Sequence, residues 1–246
     1  MAKVKTKVKA KPAKAVAAKP NKPPKSTKVT HPAMLIPQPP PPPPVRDELD
    51  APRDIGRLIR YGERFGANKI DVRMLPAQLS IGGAFAMFDP ADKKSWKVLD
   101  RPSGSGLFRI MASIVKPVNA TDASKDKLAA IVIHTGRPPI ARWTVAHWKG
   151  QKKPKDAGDL PRVTSSGWIA LMDANGGSPG VLAVPTTSDA LAPIDVPLTD
   201  GRRALAIPSG KGEFVAYWAI DAQDKPICLV IDFDAISQKD WKAKPT

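Results

Sequence analysis

From about residue 68 onward, apolar side chains fall in short runs separated by turn residues. Runs over 70–75, 78–88, 107–115, 128–134, 140–148, 163–172, 181–184 and 204–207 are rich in β-branched, aromatic and other apolar residues, so each predicts a strand. Pro76 separates the first two, because a proline cannot donate to a ladder. Asp89-Pro90-Ala91-Asp92 and Ser103-Gly104-Ser105-Gly106 are turn clusters, and 116–127 and 150–161 are polar loops, the second of them basic. The clearest unit comes last. Runs over 214–220 and 227–233 flank Asp221-Ala222-Gln223-Asp224-Lys225-Pro226, which predicts a hairpin. Leu49, Ile55, Leu58, Ile59 and Phe65 predict a short N-terminal amphipathic helix, with Pro52 in its first turn and Gly62 and Gly66 at its end. Many short strands with turns between them predict a mostly β (α+β) fold, either a β-sandwich-like or a rolled-sheet domain.

Residues 1–44 break this pattern. They hold ten Lys, at positions Lys3, Lys5, Lys7, Lys9, Lys11, Lys14, Lys19, Lys22, Lys25 and Lys28, and no Arg, Asp, Glu or aromatic residue. They also hold 12 of the 28 prolines. Of the net charge of +16, +10 sits here and +6 in the remaining 202 residues. Such a segment cannot bury enough apolar surface to offset the entropy of ordering it, so residues 1–44 read as a disordered arm and 45–246 as one compact β-rich domain. The six prolines over 39–44 predict a polyproline II spacer, or a ligand for an aromatic groove. Ala33-Met34-Leu35-Ile36 reads as linker or as a short docking peptide.

Cys228 is the sole cysteine, so no intramolecular disulfide can form. The chain has no run of 18 apolar residues and no apolar segment behind its basic start, so neither a membrane span nor a secretory signal is expected and a cytoplasmic location is the default. His31, His134 and His147 stand at no metal-ligand spacing with each other or with Cys228, so no metal or cofactor is expected and each reads as a structural histidine. Cys228, between Ile227 and Leu229, reads as an inert buried thiol. Ser165-Ser166-Gly167 is not a nucleophile elbow, and Gly210-Lys211-Gly212 lacks the flanking residues of a phosphate-binding loop.

The carboxylates give the remaining candidates. Asp89, Asp173, Asp221, Asp224, Asp232 and Asp234 lie at strand ends or turns, where an Asp side chain commonly bonds nearby backbone N–H groups. Brought together, Asp89, Asp173 and Asp221 would form an acidic cluster able to do acid–base work or bind a cation. Alternation over 227–233 points Asp232 inward, where it needs a partner, and Arg142 is the candidate.

Three sets of residues carry a resemblance. The first is Gly83…Phe88-Asp89-Pro90, Gly106-Leu107-Phe108-Arg109, Ala129-Ala130-Ile131-Val132-Ile133 and Pro138-Pro139-Ile140-Ala141-Arg142-Trp143. The second is Ser165-Ser166-Gly167…Met172-Asp173-Ala174, and the third is Gly210-Lys211-Gly212-Glu213-Phe214-Val215-Ala216-Tyr217-Trp218-Ala219-Ile220-Asp221 followed by Val230-Ile231-Asp232-Phe233. In this order they resemble the bacterial family catalogued as domain of unknown function 4241, over residues 70–234. The resemblance implies a globular β-rich fold and no particular activity. One departure is the final hairpin turn, which has Gln223-Asp224-Lys225 where such a turn usually carries Gly.

These features predict a noncatalytic binding or assembly protein. Its arm would contact nucleic acid or another acidic surface through phosphates, without reading sequence, and its β domain would bind a protein partner. Exposed tryptophans among Trp96, Trp148, Trp168 and Trp241 would suit such an interface. An Asp-dependent hydrolase and a toxin-neutralising immunity protein are the alternatives.

Overall fold

The computed structural model describes residues 47–119, 122–137, 139–185 and 191–243. The arm lysines, His31 and the proline run lie outside the described residues. The described chain is mostly β and forms one open antiparallel sheet. Its strands are β1 (Arg64–Phe65), β2 (Asn68–Gly83), β3 (Phe85–Phe88), β4 (Lys97–Val98), β5 (Gly104–Pro117) and β6 (Lys127–His134). They continue with β7 (Arg142–Val145), β8 (Arg162–Asp173), β9 (Ile194–Pro197), β10 (Arg203–Ile220) and β11 (Pro226–Asp232), and the helix α1 (Gln238–Lys242) follows. The order across the sheet is β1-β2-β5-β6-β11-β10-β8-β3-β4, with β7 and β9 also on β10. No helix among the described residues is long and apolar enough to cross a membrane.

Two buried layers explain the alternation. Leu79 and Ile81 of β2 and Phe85 and Met87 of β3 share one core with Phe214, Ala216 and Trp218 of β10 and Leu229 and Ile231 of β11. Strands far apart in sheet order meet in that core, so the sheet rolls over its inner face. The intervening residues Val215, Tyr217, Ala219, Cys228 and Val230 face outward, into a second core closed by Ile55, Leu58, Phe65 and Ile236. Strands β6 and β11 are therefore buried on both faces, which is why they read as continuous apolar runs.

The structure redraws several predicted elements. Pro76 does not end a strand: β2 runs through it, and the ladder to β5 shifts register between Met74 and Gln78. A bulge leaves residues unpaired, so the missing proline N–H costs no ladder bond there. The runs over 204–207 and 214–220 are one 18-residue strand, bulged between Pro208 and Gly210, where Gly210 takes φ +72°. Residues 181–184 form no strand, although Leu182 is buried and its N–H bonds the Pro90 carbonyl. The predicted N-terminal helix shrinks to a 3₁₀ turn over Ile55–Ile59. Its apolar residues still reach the outer core, but residues 49–51 extend along β7 instead. The Val145 N–H bonds the Leu49 carbonyl at 2.8 Å and the Ala51 N–H bonds the Trp143 carbonyl at 2.9 Å. The last hairpin forms as read, from Val215 opposite Asp232 to Ile220 opposite Pro226. Asp224 fills the glycine-like turn position at φ 61°, a conformation that Asp tolerates better than most residues.

Candidate functional site

Register decides where the predicted site residues go. Asp232 lies opposite Val215 and Arg142 opposite Ile220, so the two are five residues apart along β10, roughly 17 Å at ~3.4 Å per residue. The expected Arg142–Asp232 pair therefore does not form. Asp232 is indeed buried, but on the outer face, where it pairs with Arg53 from the segment before the 3₁₀ turn. Arg53 also bonds Asp234 at 3.2 Å, and the Asp234 N–H bonds Asp232 at 2.9 Å.

The three acids of the predicted cluster are likewise kept apart. Asp173 pairs with Phe85 at one end of β3, and Asp89 follows the other end, about 13 Å away at strand rise. Asp221 sits at the mouth of the β10–β11 turn. Asp173 and Asp221 serve their own turns, and Asp89 serves its turn and also ties it to Ser166 of β8. Asp89 accepts from the N–H of Ala91 and Ser166 and the hydroxyl of Ser166, Asp173 from the Asn175 N–H, and Asp221 from the N–H of Gln223 and Lys225. Among the described residues no group of three or more His, Cys, Asp or Glu is placed to hold a metal ion.

The tryptophans do not supply an exposed patch. Trp148 and Trp168 are buried, and Trp96 and Trp241 are partly buried. Trp241 packs edge-on against Phe65, with ring centres 4.8 Å apart, and the Arg53 guanidinium lies 4.5 Å from its ring.

Beside Trp241 opens a cavity of about 670 Å³. Val215, Tyr217 and Asp232 line it from the sheet, Arg53 and Arg57 from the 3₁₀ segment, and Trp241 and Lys242 from α1. Burial, reinforced by the Asp232 charge, pushes the Tyr217 phenol up to about 12. Burial also raises the Asp232 carboxyl above the ordinary carboxylate range, against the pull of Arg53. A phenol pushed that high is protonated at neutral pH, so Tyr217 offers the cavity a hydrogen-bonding hydroxyl.

Cys228 and His134 are equally quiet. Burial pushes the Cys228 thiol up to about 12. Burial and then Arg109 lower the His134 imidazole below its usual value, which keeps it neutral at neutral pH. Folded protein at neutral pH should therefore resist iodoacetamide, and labelling should appear only across the urea unfolding transition. Rapid labelling without urea would show that the thiol is reachable.

A buried ionic network that the sequence did not flag lies at the opposite end of the β10–β11 hairpin from Asp232. Arg101 and Glu48 are each 2% exposed and meet at 2.6 Å. Arg101 also bonds the Asp224 carbonyl at 2.7 Å, and Arg142 reaches the Asp224 carboxylate at 3.0 Å. Thr144 donates to Glu48 at 3.0 Å. Burial works against the charged Asp224, yet Arg101 and Arg142 together hold it below the usual carboxylate range. The network fastens the segment that follows the proline run to the sheet. Nothing in composition or spacing distinguishes Arg101 or Glu48 from a solvated surface charge.

No protein-family model, no curated protein and no solved structure matches this chain.

Proposed function

We propose that this protein is a noncatalytic binding or assembly protein whose arm contacts nucleic acid or a comparable acidic surface and whose β domain receives a protein partner. The observation that carries the reading is charge segregation: ten lysines without one acid in the first 44 residues, ahead of a domain of mixed charge. Lysine ammonium groups neutralise backbone phosphates as point charges. With no arginine and no aromatic ring, the arm has neither a bidentate base reader nor a stacking platform, so its binding is indifferent to sequence. The cavity beside Trp241, lined by Tyr217, Asp232, Arg53 and Trp241, is the place on the β domain suited to an inserted partner side chain. Membership of residues 70–234 in the bacterial family of domain of unknown function 4241, on the serial order of the quoted motifs, and a cytoplasmic location are parts of the same proposal.

The test compares full-length protein with a full-length variant carrying all ten arm Lys→Gln substitutions. Each is titrated with a generic DNA duplex and with RNA across a salt series. The reading predicts strong, salt-sensitive binding that the variant largely loses. Equal binding by the two proteins would overturn it.

A further inference from the structure

Two basic turns, far apart in sequence, meet at one edge of the folded domain. The first is Lys93-Lys94-Ser95-Trp96-Lys97 and the second is Lys149-Gly150-Gln151-Lys152-Lys153. An isolated bridge joins Leu99 to Trp148, and the Lys149 N–H bonds the Val98 carbonyl at 2.8 Å. The Lys97 ammonium lies 5.4 Å from the Trp148 ring centre and bonds the Arg162 carbonyl at 3.0 Å. The first turn is held by Ser95, whose N–H and hydroxyl both reach the Asp92 carbonyl. The second begins where the Gln151 N–H bonds the Trp148 carbonyl.

Residues 92–97 and 149–153 hold six lysines and one carboxylate, Asp92, with Asp47 and Asp100 adjoining them. Asp92 spends an oxygen on the Lys94 N–H. Lys93, Lys94, Lys149 and Lys152 are exposed and make no ion pair among the described residues. Lys153 donates to the carbonyl of Asp47, three positions after the last proline of the run, so the chain enters the described structure on this face. Protein surfaces ordinarily mix charges of both signs, and cations that outnumber the acids beside them repel one another until a polyanion neutralises them.

We propose that this lysine edge is a second phosphate-contact surface, by which the folded domain itself holds the nucleic-acid backbone. The inference rests on the nucleic-acid reading of the arm and extends it to the domain. A nucleic acid fits the edge better than a lipid surface does. Membrane-surface segments pair cations with insertable apolar side chains. Here Trp148 is buried, and the exposed large apolar residues (Tyr61, Met74, Leu107 and Val181) belong to none of these turns. The edge has lysine and no arginine within its two turns, so it too contacts phosphates without reading bases.

The test uses four full-length proteins: the parent, the ten-lysine arm variant, an edge variant (Lys93→Gln, Lys94→Gln, Lys149→Gln, Lys152→Gln), and the two combined. The four edge positions are exposed and unpaired, so a thermal melt of the edge variant should match the parent. Binding to a short generic duplex is read across a salt series. The edge substitutions should lower the slope of log affinity against log salt by up to about 4 in both backgrounds, at about 0.9 per contact. The arm variant should keep residual salt-dependent binding that the combined variant loses. If the edge substitutions change nothing in either background, the edge proposal fails while the arm reading stands. If the arm substitutions change nothing, the arm reading fails. Loss of binding to phosphatidylserine vesicles with duplex binding unchanged would overturn the choice of nucleic acid.

Discussion

Full-length protein should lose on the order of 10³- to 10⁵-fold in duplex affinity between about 50 and 200 mM salt, and the ten-lysine arm variant far less. The reasoning is counterion release. Each ammonium seated on a phosphate frees a condensed cation, and the gain shrinks as bulk salt rises. Ten lysines without an acid set an upper slope of about 9 for duplex and about 7 for a single strand. That difference gives an internal check, because a base-reading mode would not scale with backbone charge density. The loss should also be indifferent to duplex sequence, since no arginine is present in the arm to bridge a guanine. A flat salt response would mean that the arm docks through its proline run or its short apolar string instead.

Arg101→Met should destabilise the domain by about 3–5 kcal/mol, read as a lower urea midpoint at unchanged slope. Arg101 and Glu48 are each 2% exposed, so neither can turn to water when the other is removed. The substitution strands the Glu48 carboxylate and removes one of two arginines from Asp224. Adding Glu48→Gln should recover part of the loss, since an uncharged pair avoids the uncompensated charge. The pH dependence follows in sign. The folded carboxyl of Asp224 lies below its unfolded value near 3.8, so its stabilisation is present above that value and is lost as pH falls through the lower, folded value. In Arg101→Met the folded value moves back up and this acid-side loss becomes shallower. A variant with parental stability would show that water already reaches the network.

The difference between legible and illegible features is physical. The β10–β11 hairpin could be read because its strands, its turn and its pairing are all local: the alternation over 214–220 and 227–233 brackets one turn. Strand β2 could not be read as continuous, because Pro76 looks like a break until a bulge shows that no ladder bond was needed there. The helix expected around residues 49–65 failed for a related reason. Leu49 and Phe65 have an apolar spacing that serves equally well for an extended segment lying on a sheet face, and β7 offers a hydrogen-bonding edge that a helix would waste.

Sequence by itself determined the charge segregation, the β character and the absence of an intramolecular disulfide, since each depends only on composition or on neighbours a few residues apart. Tertiary structure alone decided the partners of the charged groups. Asp232 takes Arg53, 179 positions away, Arg101 takes Glu48, and the two lysine turns meet because one bridge joins Leu99 to Trp148. An arginine has the same chemistry wherever it stands. Which carboxylate it meets is set by sheet register and by which segments cross the sheet, and neither is encoded in the few residues around it.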